Sequence, residues 1–178
     1  MLRRATLALS ILATPALAQN PAVASPGRGS TDYARRLWQE VSGYLMKAAI
    51  AAPESLFSYA PTPDVRTFGQ ILDHIAASQN GYCRLALGLK IAGGGSGTGA
   101  KTKAEVVEAL RASNESCVRA YAQTDAEAAL PAYEGDRRSR LYMLLENAMH
   151  DNEHYGNIVT YLRPNRMVPP SSQPPPKP

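Results

Sequence analysis

Four segments of the chain repeat apolar residues at intervals of three and four, which is the period of an α-helix. They span about residues 31–51, 67–89, 102–123 and 138–163. No segment shows the strict apolar and polar alternation of a half-buried strand. Four amphipathic helices of similar length in one domain predict an all-α protein with a four-helix bundle.

Two of these helices open with a recognisable start signal. Thr67 with Gln70, and Thr102 with Glu105, have the spacing of capping boxes. Between the second and third helices the stretch GGGSGTG, residues 93–99, predicts a flexible loop. A phosphate-binding loop is the alternative, but neither a preceding strand nor a following Gly-Lys-Ser/Thr is present.

The two ends of the chain differ from the helical region. MLRRATLALSILATPALA, residues 1–18, has the charged start, short apolar run and small-residue cleavage site of a secretory signal. We expect cleavage before Gln19, export to the bacterial periplasm and no stable membrane anchor afterwards. An uncleaved anchor is the alternative, but the apolar run is well short of the roughly 20 residues that span a bilayer. Residues 19–30 predict a flexible linker, 31–168 the bundle domain and 169–178 a proline-rich disordered tail.

The charge of the chain excludes one class of partner. The formal net charge of +4 falls to +2 when the signal, with Arg3 and Arg4, is removed. Basic residues form no cluster and few aromatic residues lie among them, so we expect no nucleic-acid binding.

Cys83 and Cys117 are the two cysteines of the chain. An even number of cysteines in an exported protein favours a disulfide between them. Two buried free thiols remain the alternative, because sequence does not show whether the two Cβ atoms come within bonding range.

All three histidines of the chain can meet at one point. His150 and His154 are one turn apart on the fourth helix, about 40° apart around its axis and roughly 6 Å along it. Their face carries apolar residues and should turn toward the bundle, where His74 on the apolar face of the second helix can approach. Three imidazoles with an open position are typical of a catalytic zinc site, whereas structural zinc sites have four protein ligands. The alternative is three core histidines with satisfied hydrogen bonds.

Several polar residues lie near these histidines in sequence. Asp151 is a candidate general base, in the slot that glutamate fills in H-E-x-x-H proteases, although the third ligand of those enzymes is missing downstream. The side chains of Asp73 and Glu153 point away around their helices, which favours solvated surface charges; a hydrogen bond to the far side of a ligand imidazole is the alternative. The remaining candidates could line a pocket or equally serve packing and capping: Gln70, Asn147 and Tyr155.

The stretches PTPDVRTFGQILDHIA, HDNEHYGNIVTYLR and VPPSS resemble the DinB-like (DinB/YfiT) family of metal-dependent hydrolases. The resemblance covers about residues 31–172. It implies an up-down-down-up four-helix bundle and a divalent ion, zinc or nickel, bound by His74, His150 and His154. Many members are dimers, so a homodimer is a candidate assembly, and some members transfer groups with low-molecular-weight thiols.

The leading hypothesis is therefore an exported metal-dependent hydrolase that activates water for an unidentified small-molecule substrate. A metal-binding or ligand-binding bundle without turnover is the second hypothesis, because no clear general acid or base lies near the ligands. Thiol-dependent transfer is a further alternative, although such thiols are scarce or oxidised outside the cytoplasm. A purely structural helical domain is the last.

Overall fold

The computed structural model describes residues 29–91 and 97–174. Four long α-helices form the domain, and two 3-10 turns, Glu54–Ser58 and Pro170–Ser172, accompany them. The long helices are α1 (Ser30–Ala51), α2 (Phe68–Ala86), α3 (Lys103–Tyr121) and α5 (Arg140–Leu162), and a single short turn, α4 (Asp125–Ala128), lies between the last two. The described residues contain no strand, which confirms the all-α prediction. None of their helices combines the length and the apolar character needed to cross a bilayer.

Both predicted capping boxes are present. The Thr67 hydroxyl accepts a hydrogen bond from the backbone N–H of Gln70, whose side chain accepts one from the N–H of Thr67. Thr102 and Glu105 make the same reciprocal pair at the start of α3. Each box satisfies backbone donors that an α-helix leaves without a partner in its first turn. The sequence therefore predicted the starts of α2 and α3 to within one residue.

Contacts along α1 and α3 show that these helices are antiparallel. At one end, the Lys103 ammonium donates a hydrogen bond to the carbonyl of Ile50 at 2.9 Å, which joins the start of α3 to the end of α1. At the other end, the rings of Trp38 and Tyr121 stack with centroids 4.6 Å apart.

The direction of α2 and α5 follows from two further contacts. The disulfide between Cys83 and Cys117, together with contacts one turn earlier on both helices, shows that α2 and α3 are parallel. The Tyr161 hydroxyl near the end of α5 donates to the carbonyl of Arg66 just before α2, so these two helices are antiparallel. The bundle is therefore up-down-down-up, as the family resemblance implied.

The disulfide that the sequence predicted links the buried sides of α2 and α3. Cys83 and Cys117 are both almost fully buried and their Cα atoms are 5.2 Å apart. The bond closes a chain segment that includes the glycine loop. It limits the separation of α2 and α3 in the unfolded chain, which is the main way a disulfide stabilises a fold.

A buried hydrogen-bond network on Gln79 ties three helices together. Gln79 is fully buried, and its side-chain oxygen accepts from the Trp38 indole N–H at 2.7 Å. Its amide nitrogen donates to the Ser113 hydroxyl and to the Asn114 side-chain oxygen, each at 3.1 Å. A buried amide with its donors and its acceptor partnered adds specificity to an otherwise apolar core, because any other arrangement of the helices leaves polar groups unsatisfied.

The C-terminal segment is more ordered than predicted. Pro169 and Pro170 are buried, and the Tyr155 hydroxyl both donates to the Ser171 hydroxyl and accepts from the Ser171 backbone N–H, each at 2.9 Å. The predicted boundary of the domain at 168 is therefore too early, since the docked turn extends the fold through residue 172. Prolines lower the entropy cost of ordering this turn because their φ angle is already fixed.

Four predicted regions fall partly or wholly outside the described part of the chain. The signal segment 1–18, most of the linker 19–30, residues 93–96 of the glycine loop with residue 92 before it, and residues 175–178 of the tail are not described. At the junction with the linker, α1 begins at Ser30 rather than at Thr31.

Replacing Gln79 with Ala should lower the free energy of unfolding by about 2 to 4 kcal/mol, because it leaves the buried Trp38 N–H without an acceptor and opens a cavity. Urea unfolding followed by circular dichroism measures this change. Gln39→Ala, at an exposed position of α1, is the matched control and should change the stability by less than about 0.5 kcal/mol. Equal losses in both variants would show that the network is not the source of the stability.

Candidate metal centre

Two helices place the three histidines side by side. His150 and His154 occupy successive turns of α5, and His74 lies in the middle of α2, which runs antiparallel to α5. Buried residues flank each of them on the core side, such as Ile75 beside His74 and Tyr155 beside His154. All three imidazoles are themselves half-buried, so the cluster lies at the edge of the core with access to solvent.

The ring nitrogens converge as the sequence predicted. One nitrogen from each of His74, His150 and His154 lies within 4.8 Å of the other two. The Nε2 atoms of His74 and His150 are 3.2 Å apart. The ring centroids are 4.5 Å apart for His150 and His154, 5.0 Å for His74 and His154, and 5.1 Å for His74 and His150. The cluster could therefore hold one metal ion.

The electrostatic environment favours neutral imidazole, which is the form that binds metals. Burial lowers the pKa of His154 to about 4, and the proximity of His150 and His74 acts in the same direction. Three close imidazoles cannot all carry a proton without strong repulsion. At neutral pH His154 thus offers a lone pair rather than a positive charge.

Asn157 contacts one ring nitrogen of His154, Nδ1. Its side-chain amide lies 3.3 Å from His154 Nδ1, one turn further along α5. A metal on Nε2 would place the ring proton on Nδ1, so the amide oxygen would have to face that nitrogen. An amide can meet this demand by rotating half a turn, because its oxygen and nitrogen occupy nearly equivalent positions. Asn157 therefore fits the role of orienting the His154 ring.

Asp151 lies behind His150 and not on the open side of the cluster. The carboxylate is fully buried, and its Oδ1 atom is 3.8 Å from His150 Nδ1, the nitrogen opposite the one that faces His74. Neither oxygen has a hydrogen-bond partner within the described part of the chain, and the same is true of His150 Nδ1. Burial raises the pKa of Asp151 to about 6, against the opposing effect of His150. This position suits the orientation of His150 better than the predicted role of general base.

The three predicted pocket residues have structural partners. Gln70 is exposed and completes the capping box at the start of α2. Asn147 is fully buried and donates to the Tyr121 hydroxyl at 3.1 Å. Tyr155 holds the turn at Ser171. Of the two uses that the sequence left open, pocket lining or packing and capping, the observed contacts match the second.

Asp73 differs from its predicted role as a solvated surface charge. Its carboxylate is buried and accepts backbone N–H groups of Thr98 at 3.0 Å, Gly99 at 3.2 Å and Ala100 at 3.4 Å. The acid thus anchors the end of the loop that leads into α3, which a helical projection of α2 alone does not reveal. Glu153 is exposed, as predicted.

Two residues next to the cluster were not singled out from the sequence. The Tyr82 ring lies 5.8 Å from the His150 ring, measured between centroids, and both residues line one surface depression. Arg66 lines a second depression together with His154. Tyr82 shares the apolar face of α2 with His74, so helical spacing could have suggested it. Arg66 lies before the helix begins, where no periodicity applies.

The fold and the cluster define a class of protein, an up-down-down-up helical bundle with a three-histidine site between two of its helices. Residues 34–158 match the family model of the DinB superfamily, and this match covers more than half of the chain. The chain therefore belongs to the DinB superfamily. A search of curated proteins finds no match to it.

A solved structure supports the same fold. The chain resembles the crystal structure of a DinB-like protein from Bacillus cereus ATCC 10987, with a TM-score of 0.63 and 18% sequence identity. The alignment covers 77% of this chain and 93% of the other. At this level of identity the likeness shows the arrangement of the helices and not the chemistry of the site.

Replacing Asp151 with Asn should weaken the affinity for Zn²⁺ by about 10- to 100-fold, because it removes the buried negative charge that faces His150 Nδ1. Competition with a chromogenic chelator measures this change. Glu153→Gln is the matched control, since it removes an exposed acid from the same turn of α5, and its affinity should stay within about twofold of wild type.

The same variant separates the orientation of His150 from a general effect on folding. Asparagine keeps the shape of aspartate and removes a buried charge, so the metal-free Asp151→Asn protein should unfold at the same urea concentration as wild type or a higher one. Wild-type zinc affinity in Asp151→Asn would exclude the orienting role.

Proposed function

We propose that the protein is an exported metal-dependent hydrolase that acts on a small molecule at a site formed by His74, His150 and His154. The observation that carries the proposal is the convergence of three imidazole nitrogens from α2 and α5 within 4.8 Å. Membership of the DinB superfamily supports the metal site.

The donor set fits a borderline divalent ion. Imidazole nitrogen suits zinc and nickel better than magnesium or calcium, which prefer oxygen ligands. Three protein ligands leave coordination positions for water or substrate, which is the arrangement of catalytic zinc sites. The half-buried position of the histidines keeps that side of the site within reach of small molecules. We therefore propose zinc or nickel as the native metal.

The residues around the site would have two roles, binding the ion and orienting the ligand rings. His74, His150 and His154 would hold the ion through their ring nitrogens, and the pKa of His154, which burial lowers to about 4, keeps that ring neutral at physiological pH. When bound, such an ion supplies Lewis-acid activation of water and of the substrate. Asp151 would accept a hydrogen bond from the Nδ1–H of His150 and so fix the direction of that ring. The side-chain oxygen of Asn157 would accept one from the Nδ1–H of His154. These two hydrogen bonds would hold the His150 and His154 rings in place, so the ligands would lose little entropy when the ion binds.

A metal-binding bundle without turnover is the second candidate, and one specific observation favours it. The acid closest to the ligands, Asp151, lies on the far side of His150 and cannot serve as a base toward substrate in this arrangement. Thiol-dependent transfer, found in some relatives, is the third candidate and fits an exported protein less well.

Each of His74→Ala, His150→Ala and His154→Ala should reduce bound zinc or nickel to far below one ion per chain, because each removes one of three ligands. Elemental analysis after equilibration with the metal measures the loss. Asn152→Ala, an exposed position between the two histidines of α5, is the control and should keep wild-type metal content. Full metal retention in all three histidine variants would exclude the site.

Catalysis is tested on the same proteins. Wild type should hydrolyse at least one compound in panels of esters, amides and phosphates, lose that activity on treatment with a chelator and regain it with zinc or nickel. The histidine variants should be inactive under all conditions. A wild-type protein that holds the metal but turns over none of the panels would favour the non-catalytic candidate.

Export is supported by two features that are independent of the site. Residues 1–18 have the composition of a secretory signal. The disulfide of Cys83 and Cys117 is a bond that persists in oxidising compartments and is rare in the cytoplasm. We propose the periplasm as the compartment in which the protein works.

When the full chain is expressed in a Gram-negative bacterium, the periplasmic fraction should contain a protein whose N-terminal residue is Gln19. Intact mass and N-terminal sequencing identify the processed form. Thiol titration of the denatured protein should detect no free cysteine. Replacing Arg3 and Arg4 with Glu should retain the chain in the cytoplasm unprocessed. A full-length wild-type chain confined to the cytoplasmic fraction would contradict the proposal.

A further inference from the structure

A surface groove begins at the histidine cluster and runs along the α2 and α5 junction. We call it the Arg66 groove; its lining includes Val65, Arg66, Ile71, His154, Asn157 and Tyr161. Because His154 is one of these residues, a molecule in the groove touches the same imidazole that the metal site uses. A substrate bound in the groove would therefore lie next to the metal site, where the groove residues could recognise its charge and shape.

The position of Arg66 in the groove is fixed by the fold. Its backbone carbonyl accepts a hydrogen bond from the buried Tyr161 hydroxyl at 2.6 Å. The next residue, Thr67, caps α2. These two constraints hold the Arg66 backbone between α2 and α5, whereas its side chain is exposed. The fold therefore fixes the point from which the Arg66 side chain enters the groove beside His154.

The guanidinium of Arg66 has no counterion within residues 29–91 and 97–174. Asp64 also lines the groove, yet the ion pairs of the described chain do not include one between Asp64 and Arg66. Arg66 and His154 line the same groove, so a molecule bound there can touch both side chains.

An uncompensated cation beside a site for a divalent cation is unfavourable for the protein alone. The repulsion between Arg66 and a bound ion is offset when an anionic group lies between them. Guanidinium binds carboxylate and phosphate through paired, charge-assisted hydrogen bonds. The groove also has apolar lining groups, namely Val65, which is 46% exposed, and the side chains of Ile71 and Tyr161.

We propose that the Arg66 groove binds the anionic group of the substrate, so that the substrate is a small carboxylate or phosphate with an apolar body. That the bound anion is a substrate rests on the proposed metal-dependent function, but anion binding to the groove can be measured without the metal. Arg66 would contact the anion, and Val65 and Tyr161 would contact the apolar body. Arg66 thereby selects for charge, and the metal site acts on the part of the molecule next to His154.

Isothermal titration tests this assignment with three probes of similar shape: benzoate, phenyl phosphate and neutral benzamide. The zinc-loaded wild type should bind at least one anion and should bind benzamide at least about tenfold more weakly, because benzamide cannot form a charge-assisted pair. Arg66→Gln should weaken anion binding by about 10- to 100-fold. Arg66→Lys should retain part of the affinity, since it keeps the charge and loses the paired geometry.

Arg163→Gln, which removes an exposed charge at the end of α5 outside the groove lining, is the matched control and should bind the anions as wild type does. Benzoate and phenyl phosphate compared with each other identify the preferred anion class. Wild-type anion affinity in Arg66→Gln, equal losses in Arg163→Gln, or no preference for anions over benzamide would each overturn the assignment.

Anion titration of the metal-free protein, together with its metal content after loading, separates the two proposals. If the protein retains no metal after loading but still binds anions in a way that depends on Arg66, the groove is supported and the metal-dependent hydrolase is excluded. Metal retention with no effect of Arg66→Gln would leave the metal site in place and exclude the groove. Thermal unfolding of each variant, monitored by circular dichroism, should match wild type because Arg66 is exposed.

Discussion

The register between the antiparallel helices α2 and α5 is the constraint on which the site depends. A rotation of α2 by one residue turns its side chains through about 100° and would carry His74 away from α5. The Tyr161 hydroxyl on the Arg66 carbonyl fixes one end of this register. The disulfide at Cys83 and the network on Gln79 hold the other half of α2 against α3 and α1. The histidines meet because contacts on both sides of His74 leave α2 no freedom to turn.

That register has an energetic cost that an ordinary core would avoid. Burial and two neighbouring imidazoles lower the pKa of His154. Asp151 behind the cluster is a buried carboxylate without a hydrogen-bond partner in the described chain. Burying a charged or polar group without a partner typically destabilises a fold by a few kcal/mol. The rest of the bundle follows the rules of local consistency, with capping boxes, a closed disulfide and a satisfied Gln79. The further buried oxygen without a partner, Asn147 Oδ1, lies one turn before the cluster on α5. Departures from those rules concentrated at one place are the physical mark of a functional site.

Features that depend on local sequence could be predicted, and those that depend on tertiary contacts could not. Apolar periodicity and the caps at Thr67 and Thr102 define the helices, and the spacing of His150 and His154 leads to the cluster. In contrast, Asp125 of α4 accepts hydrogen bonds from the first residues of α1, and Asp73 holds a loop 25 residues away. Their partners lie far along the chain, so no helical projection identifies them. The turn at Ser171 was missed for the same reason, because its partner is Tyr155.

The site has opposite charges on its buried and its exposed sides, and neither the fold nor the three ligands alone defines this arrangement. A buried acid lies at the Nδ1 side of His150, and an exposed guanidinium lies in the groove that contains His154. The negative charge is thus held inside the protein, where it can offset the charge of an ion, and the positive charge is presented to solvent, where it can attract an anion. The arrangement therefore favours one side of approach, and because helical bundles of the same fold can carry many chemistries, this polarity is a property of these residues rather than of the fold.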